Sequence, residues 1–143
     1  MQEDTIRLLR ECHAGVQMGV SSIDEALPSV RDRELAELLR NSRHNHELLG
    51  DEAESLLADY HHSGSEPRPM AKGMAWAKTN FKLSMNPGDA TVAGLITDGC
   101  NMGVKSLQQS LNDYNEAEPR AVEITKRLIE LEDKLAENLR SYL

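Results

Sequence analysis

Apolar residues recur along residues 4–27 in steps of three and four: Ile6, Leu9, Val16, Val20, Ile23 and Leu27, with His13 the polar member of the row. That is the a/d stripe of a helix packed on one side, and Pro28 ends it. Beside the stripe runs a second row of Leu8, Cys12, Gly15, Gly19, Ser22 and Ala26. Glycine inside a helix costs stability, so Gly15 and Gly19 are expected to admit another helix at close range. A second helix is predicted to start near Ser29 to Asp32, where the Ser-x-x-Asp spacing resembles an N-terminal cap, and to run to about Tyr60. Its row is Leu35, Leu38, Ser42, His46, Leu49, Ala53, Leu56 and Tyr60. The short link between the two helices predicts an antiparallel hairpin.

The segment HHSGSEPRP reads as a loop. A shorter helix is predicted over 70–85, with Met70, Met74, Trp76, Phe81 and Met85 as a soft apolar surface that either packs across the bundle or meets a partner. NPGD breaks it. Further helices are predicted over 89–114 and from Pro119, a first-turn proline, to the end.

The last two helices repeat the first two. Shifted by 84 positions, the first stripe lands on Ala90, Ala93, Thr97, Cys100, Val104, Leu107 and Leu111, and six of the thirteen residues from 15 to 27 are identical. Chance gives about one. Shifted by 86, the second stripe lands on Ala121, Ile124, Leu128, Glu132, Leu135, Leu139 and Tyr142. The expected organisation is one all-α domain over 1–143: one hairpin at about 4–60, a crossover at 61–88 and a second hairpin at about 89–143. Neither hairpin buries its apolar face alone, so the two should close into a four-helix bundle.

Composition agrees. Aromatic residues are 3% of the chain and hydrophobic residues 39%, which suits helices more than strands. The net charge of −8, from 24 acids and 16 bases, argues against nucleic acid and anionic membrane, since phosphate binding needs a basic footprint. The opening MQEDTIRLLREC lacks the apolar core of a signal peptide, and no run is long enough for a membrane span. Two cysteines, Cys12 and Cys100, make no disulfide framework. Two reduced, buried thiols in a cytoplasmic protein are expected; a redox pair would need Cα atoms within about 7 Å.

Two hairpins joined by a long crossover resemble the ferritin-like fold. The stretches GVQMGVSSIDEALP, DGCNMGVKSLQQSLN and RLIELEDKLAENLRSYL are similar to a group of short, uncharacterised bacterial proteins of that fold. The resemblance implies a ferritin-like bundle that need not keep a di-iron centre.

A di-iron bundle draws a Glu from each of two helices and a Glu-x-x-His from each of the others. No Glu-x-x-His occurs here; HNHE at 44–47 has the order reversed, and Leu49 and Leu135 stand three residues beyond His46 and Glu132. What remains is a set of polar positions on apolar stripes: the repeat pairs His46 with Glu132, and His13 with Thr97. If the first hairpin turns near residue 30, His13 falls within about a turn of His46. The simplest outcome is a buried His46–Glu132 hydrogen bond, with His13 bonded to Thr97 or to water. The alternative is a mononuclear Zn or Fe site using His13, His46 and Glu132. His61 and His62 sit in a polar loop, and the chain has no phosphate loop, nucleophile elbow or Cys-x-x-Cys.

The function expected from sequence is therefore a non-enzymatic bundle acting as an oligomeric or protein-interaction module. A homo-oligomer (a dimer) or a protein partner is expected, with no nucleic acid, no membrane and no cofactor. The alternatives are a metal-binding protein or oxidoreductase and, from the resemblance alone, a spore- or stress-associated structural protein.

Overall fold

The computed structural model describes residues 2–62 and 87–143. The helix expected over 70–85 and its Met-rich surface lie outside the described residues. Four long helices form the body: α1 (Gln2–Ala26), α2 (Arg33–Asp59), α3 (Asp89–Asp113) and α4 (Pro119–Leu139). Short 3-10 turns follow α1 at Leu27–Ser29 and α4 at Arg140–Tyr142.

Three of the four helices start where their sequence dictates. Asp32 caps α2, its carboxylate accepting from the Leu35 N–H at 2.9 Å. Pro119 occupies the first turn of α4, where a missing N–H costs nothing. Before α3, Gly88 takes φ +139°, a conformation side-chain-bearing residues avoid.

α1 packs on α2 and α3 on α4, as two hairpins; α1 also meets α3, α2 meets α4, and α1 reaches α4 across the bundle. At one end the Arg31 and Asp32 N–H groups donate to Asp89 at 2.8 and 3.0 Å. At the other, the Glu116 N–H donates to Asp4 at 3.0 Å and the Glu118 N–H to Thr5 Oγ1 at 2.9 Å. So α3 starts beside the α1–α2 turn, while α2 ends beside the start of α1, where Arg10 reaches His62 at 3.2 Å. α2 therefore ends and α3 begins at opposite ends of the bundle, the up-down-down-up order of a long-crossover bundle.

The core has two halves. One gathers Leu8, Leu9, Cys12, Val16, Leu57 and Leu128 with their neighbours; the other gathers Ile23, Leu35, Leu39, Val92, Ile96 and Leu139. Each fully buried leucine contributes on the order of 1.5–3 kcal/mol. On α1 the buried face is turned toward the second row: Leu8, Cys12 and Ala26 are fully buried, whereas Ile6 and Val20 are only partly covered. The α1–α4 approach across the bundle accounts for this, because it covers the flank as well as the stripe.

Candidate functional site: a polar layer at the centre of the bundle

Between the two apolar halves lies a layer to which all four helices contribute. α2 supplies His46, 1% exposed, and α4 supplies Glu132, 7% exposed. The His46 Nε2 lies 2.5 Å from Glu132 Oε1, closer than the roughly 2.7–2.9 Å usual for a charge-assisted N–H···O bond. His46 Nδ1 lies 2.7 Å from the Ser42 carbonyl oxygen. A carbonyl only accepts, so Nδ1 carries a hydrogen and donates it, and both ring nitrogens are engaged. Burial pulls the His46 pKa down; the hydrogen bond and charge of Glu132 and the Ser42 carbonyl push it up and prevail, leaving it above the ordinary histidine value.

α3 adds Cys100, whose S–H donates to Glu132. Burial, then the charge of Glu132 and that hydrogen bond, raise the thiol far above the ordinary cysteine range, so it stays protonated. Glycines close the layer. A Cβ at Gly19 would stand 2.7 Å from His46 Cδ2 and 2.8 Å from Nε2; one at Gly103 would stand 3.8 Å from the Glu132 carboxyl carbon. Close approach is thus decisive at Gly19. At Gly15 the same Cβ would make ordinary contacts at 3.5 and 3.7 Å with Leu128 and Leu107.

His13 is elsewhere. Val16 lies against Gly50 and Gly19 against His46, so the first hairpin centres near residue 33, not 30. The 3-10 turn at Leu27–Ser29 and the cap at Asp32 lengthen the connection. His13 accordingly falls about two turns from His46. It is buried in a groove between α1 and α2 lined also by Gln17, Val20, Glu47, Asp51 and Glu54. Its expected bond to Thr97 is not formed, since the buried Thr97 Oγ1 has no hydrogen-bond partner. The structure brings together two of the three residues considered for a metal, and among the described residues no three His, Cys, Asp or Glu side chains are grouped to hold an ion.

The di-iron ligand set does not fit either. Leu49 and Leu135, where second ligands belong, are 5% and 3% exposed and pack in the apolar core. His44 is exposed, and the neighbouring Glu47 is paired with Arg43, which also binds Asp24 at 2.6 Å. The participation of Cys100 was not anticipated, although its place one turn before Gly103 on the α3 stripe was the available signal. Cys12 lies in the other core half from Cys100. Burial foremost, and Glu52 more weakly, push its thiol up to about 12 against a lowering contact from Thr125.

The fold is similar to the crystal structure of Dps92 from Deinococcus radiodurans, with a TM-score of 0.75 and 15% identity over 99% of this chain and 87% of that one. At that identity the likeness is one of fold. The chain has a ferritin-like four-helix-bundle fold. No protein-family model and no curated protein matches it. Among the described residues no helix is long and apolar enough to cross a membrane.

Proposed function

We propose that this chain is a non-enzymatic, cytoplasmic ferritin-like bundle, akin to short relatives without the full di-iron ligand set, that works as an oligomeric or protein-interaction module. The observation that carries this reading is the state of the central layer. Both nitrogens of His46 are engaged, by Ser42 and Glu132, and leucines fill the positions a di-iron centre would need. The centre is built as a structural joint, which leaves the outer surface for function. Met102, 70% exposed in the repeated Met-Gly-Val motif, and Leu48, 49% exposed, are apolar points on that surface.

A mononuclear Zn or Fe site is the second reading, favoured by the placement of two candidate ligands, His46 and Glu132, side by side in one buried layer. The register of His13 and the engagement of both His46 nitrogens stand against it. Elemental analysis separates the two, on untagged protein purified without chelator, beside a His46→Ala variant. The module reading expects no stoichiometric iron, zinc or manganese in either protein, and a dimer or larger oligomer by light scattering. Near-stoichiometric metal that disappears in the variant would establish the second reading.

A further inference from the structure

The two hairpins are equivalent in sequence and reciprocal in contact. Under the repeat offsets, Thr5 corresponds to Asp89 and Asp32 to Glu118. At one end the Glu118 N–H donates to Thr5 Oγ1 at 2.9 Å; at the other the Asp32 N–H donates to Asp89 Oδ2 at 3.0 Å. The same contact is made twice, once in each direction, as two-fold-related surfaces require. Gly19 and Gly103 are equivalent too, and both face the central pair. An interface of this form fits a copy of itself. Its apolar rows do not tell a first hairpin lying on a second from a first lying on a first.

His46 and Glu132 do tell them apart. They hold equivalent positions, 86 residues apart, and meet each other. Two first hairpins paired in the same way would set imidazole against imidazole, and two second hairpins carboxylate against carboxylate. Buried like pairs without a counter-group are strongly disfavoured, and a single buried polar pair is an attested device for fixing which helices associate. We infer that His46 and Glu132 are the specificity determinant of the hairpin interface. They confine it to unlike hairpins and exclude the like-on-like association that would join copies of this chain to one another.

The inference rests on the layer being structural. Its test is refolding by dilution from urea over a range of protein concentrations, read by size-exclusion chromatography with light scattering. The wild type should return to one size at every concentration. The His46→Leu/Glu132→Leu double variant should fold but give larger species that grow with concentration. The exchanged pair, His46→Glu/Glu132→His, should return to one size. It should also recover most of the thermal midpoint that each single exchange lowers by roughly 10 °C or more. Recovery should be incomplete, because Val16 stands where Cys100 would be needed to face the new carboxylate. A double leucine variant that refolds to the wild-type size at all concentrations overturns the inference, as does an exchanged pair no more stable than the single exchanges. Should the leucine variant not fold, the exchanged pair decides alone. Elemental analysis of the same wild-type samples reads a metal site independently of the size distribution.

Discussion

Gly19 on α1 lies so close to His46 on α2 that a single added carbon would stand 2.7 Å from the imidazole. The backbone of one helix is thus the wall against which the buried ring is held. Gly19→Ala must move His46 off Glu132 or push α1 outward. Helix propensity favours alanine by about 1 kcal/mol, whereas overpacking costs about 1–3 kcal/mol, to which the disturbed ion pair adds. The expected result is a net loss of stability in urea titration. Gly103→Ala, with 3.8 Å to the nearest Glu132 atom, should be neutral or stabilising by up to about 1 kcal/mol.

Stability should depend on pH through His46. Its folded pKa lies above the ordinary value of 6.5, so the protonated ring is favoured by folding. Its contribution is fully present below about pH 6.5 and is lost as pH rises through the folded pKa. Unfolding free energies measured from pH 5.5 to 9 should fall across that window in the wild type, and less steeply in His46→Gln. A wild type that gains stability over the same rise would reverse the assignment.

The two thiols should be silent in the folded protein. Burial holds Cys12 up to about 12 and raises Cys100 further, and thiolate is the reactive form. A colorimetric thiol reagent at pH 8 should count almost none in native protein and two in denaturant. Rapid native reaction of one thiol would mean that its half of the core opens readily.

The end contacts should act independently of the centre. Asp89→Ala removes the acceptor for the Arg31 and Asp32 N–H groups. These groups are exposed, so water replaces part of the loss, and a cost of about 1 kcal/mol is expected. Asp89→Asn should cost less. In combination with a His46 variant the effects should add, since the sites lie far apart.

Much of this arrangement was legible in the sequence, because it rests on periodicity. The α4 stripe from Ala121 to Leu139 is buried at each position. The 86-residue offset alone pairs His46 with Glu132, since equivalent positions of a duplicated hairpin meet near its axis. What failed was register. Pro28 marked the end of α1, but the number of residues spent in the turn depended on the 3-10 geometry at Leu27–Ser29 and the cap at Asp32, and a shift of a few residues was enough to take His13 out of the layer. The rotation of α1 onto Leu8 and Cys12 was illegible for a related reason. Two adjacent rows were both apolar enough to be buried, and parts of both are: Leu9, Val16 and Ile23 of the stripe beside Leu8, Cys12 and Ala26 of the flank, a breadth that only the added contact with α4 explains.

The most direct test of the central claim, that His46 and Glu132 form a structural joint, is a double-mutant cycle with His46→Leu, Glu132→Leu and the double variant, measured by urea unfolding. Each single variant leaves one buried group without its charged partner and should cost about 3–5 kcal/mol; the double variant, apolar on both sides, should lie near the wild type. The coupling should then be several kcal/mol. Single variants that each cost little, with additive effects in the double variant, would contradict the account, because the two side chains would then not depend on each other.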